Sequence, residues 1–302
     1  MAGGANPQKA IFFALAANFA VAVAKYIAAF ITNSGSMLAE AVHSTADCGN
    51  QLLLLLGMRQ AKQPPSDDYP LGYGKETYFW SFIVAIMLFS VGGMFSVYEG
   101  WHKLMEPEMV GYPLIALGVL AFGIFAESFS MWGCLREVNK IRRDQSLWQW
   151  FRATRNAELV VIFGEDLAAL LGLTLAFVAV SITWVTGNPM YDALGSVAIG
   201  LLLITIATLL GVEIKAMLVG QGVEKHVKRE MIACIEHQPS VERVYNMLTM
   251  QMGSDVMVAV KVKMKPSASA LTLVQAINAS EKIFRQEFPQ VAFLFFEPDI
   301  AD

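Results

Sequence analysis

Glu40, His43, Asp47, Asn50 and Gln51 interrupt an otherwise apolar stretch of the chain. His43 follows Glu40 by three residues, Asp47 follows His43 by four, and Asn50 and Gln51 follow Asp47 by three and four. On a helix these intervals put all five on one face. A neutral imidazole nitrogen and a carboxylate oxygen one turn apart, as at His43 and Asp47, can grip the same cation. An ionised carboxylate inside lipid costs about 2.5–3.5 kcal/mol on insertion scales, and the cost falls when it faces other helices, pairs with a cation or meets water. Histidine titrates near neutrality, so protons would compete with a bound metal. The alternative is a hydrogen-bonded network between helices, holding no metal.

A second acidic centre lies at Glu165 and Asp166, within VVIFGEDLAALLGL. Adjacent helical residues diverge by about 100°, so the two cannot point alike. One would ligate while the other supports it, bridges or binds a proton; a helix-pairing cluster is the structural alternative. Gly164 is expected to let another backbone come close. Glu127 is a third candidate acid, either on the pathway or paired with an arginine. Lys25 and Glu99 are expected to snorkel or pair. One histidine with two or three carboxylates suits Zn²⁺ and admits cadmium, manganese, cobalt or iron. No thiolate is placed for Cu(I), and Cys48 and Cys134 read as small apolar filler.

Helices must hold these groups, and the composition says where. The 302 residues are 55% hydrophobic and 16% charged with a net charge of −4, against about 25% charged in soluble domains. No basic run invites nucleic acid. Six stretches are long enough to span a bilayer: about 9–32, 37–60 (the most polar), 77–101, 110–135, 158–186 and 189–219. Lys and Arg gather in the loops after the second and fourth, which places both termini in the cytosol. No cleaved signal peptide is read at the N-terminus, and the absence of a targeting segment favours a bacterial inner membrane.

From Gly220 onward the pattern becomes that of a soluble α+β module. Helices are expected at 223–238 and 271–288, and strands at 241–252, 256–264 and 291–296, with a hairpin turn at 253–255. The expected domains are a six-helix transmembrane transport domain, 1–219, and a cytosolic dimerisation domain, 220–302. So small a module gains from dimer contacts.

NSGSMLAEAVHSTAD followed by CGNQ resembles the second helix of the cation diffusion facilitators. YPLGYGKETYFW is similar to that family's approach to helix three, with Tyr69 and Tyr73 where many members carry histidine, and NPMYDALGSVAIG is similar to its start of helix six. The GED pair and this last motif point to the zinc-transporter-9-like branch. The resemblance implies a homodimer that exports divalent metal by alternating access, driven by inward proton movement, with metal as transported substrate and no catalytic cofactor. By position, His43, Asp47 and Asp166 match metal ligands. Ile162 stands where many members have His or Asp, so Glu165, Glu127, Asn50 or water is left to complete the set. Glu40, Asn50 and Gln51 would line the route or support the ligands. The C-terminal part resembles the family's metallochaperone-like, ferredoxin-like module. His226 and His237 are its only histidines, and Cys234 and His237 form a weak candidate metal pair. A membrane metal sensor or scaffold that does not transport is the alternative function. An intramembrane metalloenzyme ranks last, because no HExxH pattern occurs.

Overall fold

The computed structural model describes residues 6–32, 35–106 and 112–301; the side chains of residues 32, 35–40, 42, 43 and 46 lie outside the description. In chain order the long helices are α1 (Pro7–Thr32), α2 (Gly35–Gln60), α3 (Glu76–Met87), α4 (Phe95–Met105), α5 (Pro113–Ile141), α7 (Ala157–Thr186) and α8 (Met190–Val219). A π-helical segment, Leu88–Met94, joins α3 to α4, so that Glu76–Met105 runs as one rod. Among the described residues, five rods are long and apolar enough to cross a membrane: Pro7–Ile31, Glu76–Met105, Pro113–Ile141, Ala157–Thr186 and Met190–Val219. The sixth expected span is α2, as long as α1 at 26 residues but diluted by its polar stripe.

Three features depart from the expected elements. The π segment is not visible as a periodicity, because it widens the turn without changing residue type. The fourth span reaches Ile141 rather than about residue 135, since its charged last turns continue the helix beyond the apolar run. The loop beyond it contains a short helix, α6 (Leu147–Ala153), anchored by buried Trp150 and Phe151. Both of these rings pack near Phe163 of α7.

The rods fit closely where glycine permits it. A Cβ on Gly200 of α8 would lie 2.6 Å from the Val97 amide nitrogen and 2.8 Å from the Gly93 carbonyl, so here backbone meets backbone. At Gly164 the expectation is corrected: the Leu210 side chain, not a backbone, fills the space a Cβ would need, 2.6 Å away. At one end of the bundle Lys103 bridges Glu99 and Asp192, each at 3.3 Å, tying α4 to α8.

The chain forms two compact units. Met1–Arg59, Thr77–Arg152 and Asn156–Lys215 make the helical one; Gln60–Glu76, Ala153–Arg155 and Ala216–Asp302 make the other. The second contains α9 (Lys225–Glu236), β1 (Val241–Met252), β2 (Asp255–Met264), α10 (Ala270–Glu287) and β3 (Val291–Pro298). Its sheet has the order β1-β2-β3; β1 is antiparallel to β2, and β2 is parallel to β3, as an intervening crossover helix requires. The alternation expected in β2 is present. Val256, Val258, Val260 and Val262 are buried against Met231 and Ile235 of α9 and Phe284 of α10. The hairpin turn is Gly253-Ser254, since Asp255 already pairs with Met252. Gly253 has φ +66°, and a Cβ there would meet the Gly74 carbonyl. Loop residues from between α2 and α3 therefore pack on the soluble sheet. Gln251 N–H donates to Gln221 O and Arg155 Nε–H to Gly222 O, both at 2.8 Å, adding the segment after α8 to the same edge.

Candidate metal site

α2, α5 and α7 position the polar groups of the helical unit. Glu165 is 6% exposed and Asp166 is 2% exposed, and they face different helices, as adjacent positions must. Glu165 turns to α2: Asn50 Nδ2–H donates to Oε1 and Gln51 Nε2–H to Oε2, each at 2.9 Å. Asp166 turns to α5, where the Ser130 hydroxyl donates into its carboxylate, 3.0 Å from Oδ1 and 2.9 Å from Oδ2. Glu127, 4% exposed, lies within Coulombic reach of Asp47 and Lys25, and Glu165 within reach of Asp47 and Glu127.

Asp47 is half-buried on α2. His43 and Glu40 lie on the same helix, and their side chains are outside the described residues. Among the described residues, no three of His, Cys, Asp and Glu converge tightly enough to enclose one ion. Asn50 and Gln51 meet Glu165, and Ser130 meets Asp166, among the described residues. Asp47 and Glu127 stand in the same electrostatic neighbourhood.

The donor chemistry suits a cation. Asn50 Oδ1 and Gln51 Oε1 are buried and have no hydrogen-bond donor among the described residues, while one N–H of each amide serves Glu165. A buried acceptor without a donor costs about 1–3 kcal/mol, and a cation or a water molecule would satisfy it. Each Glu165 oxygen receives one of these amide donors and keeps further lone pairs. The arrangement therefore offers hard oxygen donors from carboxylates and amides.

Ser130 was not singled out from sequence, yet a signal existed. Glu127, Ser130, Cys134 and Glu137 follow one another on α5 at intervals of three, four and three, the same repeat as in α2. Cys134, read as apolar filler, is fully buried and lies within Coulombic reach of Asp166 and Glu137. Glu137 accepts from Lys140 Nζ at 2.5 Å and from the Asn6 amide at 2.8 Å, which ties α5 to the start of α1. Lys25 does not reach for an interface. It is 7% exposed and its Nζ donates to Ser44 Oγ at 2.9 Å.

In the soluble unit, Cys234 packs against the apolar core, and burial pushes its thiol up. His237 Nδ1 sits 2.5 Å from the Ala233 carbonyl oxygen, and His226 lies 3.4 Å from Glu224. Asp299 receives Lys261 Nζ at 2.8 Å, and this hydrogen bond holds its carboxyl below the ordinary carboxylate range.

Comparison with known proteins supplies the family. The model of the cation efflux transmembrane domain matches residues 11–219. The human mitochondrial proton-coupled zinc antiporter SLC30A9 is 31% identical over 253 residues, covering 82% of this chain and 44% of that protein. Metal tolerance protein C4 of Arabidopsis thaliana is 27% identical, covering 80% of this chain and 53% of that protein. The cation-efflux pump FieF of Escherichia fergusonii is 26% identical over 86% of this chain and 80% of its own length. The chain spans about half the length of SLC30A9 and metal tolerance protein C4. With its apolar rods and this match, the chain is a multi-pass integral membrane protein, and it belongs to the cation efflux (cation diffusion facilitator) family, in the SLC30A9-like branch.

Proposed function

We propose that this protein is a secondary carrier that exports divalent transition-metal cations, zinc foremost, in exchange for protons. The observation that carries the reading is the amide clamp on Glu165. Two buried carboxamides hold an intramembrane carboxylate while their own oxygens stay without donors. Such a group is costly in lipid and useful where a cation passes. The names of relatives in the same family, a zinc antiporter and a cation-efflux pump, agree with it.

On this reading His43, Asp47 and Asp166 ligate the ion, with Glu165 as fourth ligand or as proton carrier. Asn50, Gln51 and Ser130 orient the carboxylates, and Glu127 lines the route. Cadmium, manganese, cobalt and iron compete according to ligand hardness. Metal taken from the cytosol displaces protons from the site, the helices repack, and protonation from the far side releases the ion. The chain works as a homodimer with both termini cytosolic. Residues 220–302 serve dimerisation, and a bacterial inner membrane is the membrane proposed.

The test is zinc flux in proteoliposomes under an imposed pH gradient, with Asp47→Ala and Asp166→Ala as variants. Loss of flux in both supports the reading. Undiminished flux in either refutes the site. Stoichiometric zinc binding without flux in the wild type indicates a sensor or scaffold instead.

A further inference from the structure

A lysine inside a path for cations is an electrostatic contradiction unless it has a task. Lys25 lies on α1 seven residues before Thr32, about 10 Å of helix. A lysine at this depth can lower its cost by stretching its stem toward the interface. Lys25 does the opposite. Its side chain is turned inward, 7% exposed, and is fixed by a 2.9 Å hydrogen bond to Ser44 Oγ. Ser44, itself 3% exposed, is the neighbour of His43 and lies three residues before Asp47, on the polar stripe of α2. Across from it, Glu127 of α5 is within Coulombic reach of both Lys25 and Asp47. The next residue pair repeats the α1–α2 connection through Tyr26 and Thr45 hydroxyls, 3.3 Å apart.

We propose that the Lys25 ammonium is a tethered resident cation of the transport site, held on Ser44 among the carboxylates while no metal is bound and displaced from them when a divalent ion arrives. The inference rests on the reading of the site given above. Carboxylates gathered in the membrane need a positive charge in every state. An intramolecular ammonium supplies one without binding from solution. It also sets a threshold for the incoming ion. A monovalent cation has no charge advantage over the ammonium. A divalent ion with imidazole and carboxylate ligands has twice the charge and directional bonds. Lys25 is thereby a specificity-determining residue, acting through charge and not as a ligand.

The test measures zinc binding to the purified full chain in detergent by competition with a chromophoric chelator, for wild type, Lys25→Met, Lys25→Gln and Lys25→Arg. Gln keeps a donor for Ser44 and removes only the charge; Arg keeps the charge. With the resident charge gone, the Met and Gln variants should bind zinc at least about tenfold more tightly, and added potassium should weaken zinc binding in them more than in the wild type. The Arg variant should stay near wild type. A purely structural pin between α1 and α2 would change affinity in the opposite direction or not at all. Equal or weaker zinc binding by a monodisperse Lys25→Gln chain overturns the proposal, and that variant decides if Lys25→Met fails to fold. If the wild type takes up no zinc, or if Asp47→Ala binds it unchanged, the reading of the site itself fails and this proposal falls with it.

Discussion

Replacing Gln51 by Met tests the amide clamp without relying on any function. Met has nearly the same length and flexibility, so packing changes little. Two polar effects then oppose each other. The substitution removes the 2.9 Å N–H donor to Glu165 Oε2, and a hydrogen bond to a charged group contributes about 1.5–3 kcal/mol. It also removes Gln51 Oε1, a buried acceptor without a donor, and relieves about 1–3 kcal/mol. The net change in the single variant therefore falls anywhere from about 1.5 kcal/mol gained to about 2 kcal/mol lost, and its stability alone decides nothing. The double-mutant cycle with Glu165→Met separates the two effects, because relief of the orphan oxygen occurs in both backgrounds and the donor bond in only one. Gln51 and Glu165 should show a coupling energy of about 1.5–3 kcal/mol. Unfolding equilibria in mixed detergent micelles, followed by tryptophan fluorescence, would measure it. A coupling below about 0.5 kcal/mol, the usual additivity error, would refute the claim that Gln51 holds Glu165.

Three further outcomes follow from the geometry. Ser130→Ala removes the hydroxyl that serves both Asp166 oxygens; zinc affinity measured by chelator competition should fall about tenfold or more if that bond orients a ligand. Gly200→Val places side-chain atoms against the Val97 and Gly93 backbone; it should destabilise the fold by about 1–3 kcal/mol or more in micelle unfolding, while Gly187→Ala, where a Cβ meets open space but φ is +68°, reports backbone strain alone. Asp299 has its folded pKa held down by Lys261, so its contribution is fully present above the ordinary carboxylate range and lost as pH falls through the depressed value. Hydrogen exchange of the β3 amides should accelerate in that acidic window, and Asp299→Asn should remove that part of the pH dependence.

Of the α2 stripe, the part the structure describes, Asp47, Asn50 and Gln51, was legible because its members are strongly polar and their intervals match a helix. The divergence of Glu165 and Asp166 was legible too, since it is a property of one helix. Their partners were not, because they depend on which helices lie to either side of α7. The second stripe, on α5, escaped notice for a different reason: Ser130 and Cys134 weigh little against a membrane helix, so only Glu127 stood out. The soluble sheet was readable from the alternation of valines in β2. That residues 60–76 belong with that sheet was not, because a contact such as Gly74 on the Gly253 turn leaves no periodicity.

The missing ligand at Ile162 takes on a different weight once α5 is included. Ile162 is fully buried in a stretch, Ala157–Ile162, that is buried at every position, so packing occupies the position where the family resemblance leads one to expect a ligand. The polar groups have instead accumulated on the adjoining surfaces: Glu165 toward α2, and Asp166, Ser130 and Cys134 between α7 and α5. With Asp47, Glu127 and Lys25, these carboxylates sum to a formal charge of −3 if all are ionised, far more than a low-dielectric interior holds unaided. A divalent ion alone would not cancel it. On the carrier reading, protons share the site with the metal, in numbers that depend on whether the metal is present. On the carrier reading, coupling between metal and protons then needs no dedicated relay, because it is already a consequence of the surplus of acids over cations.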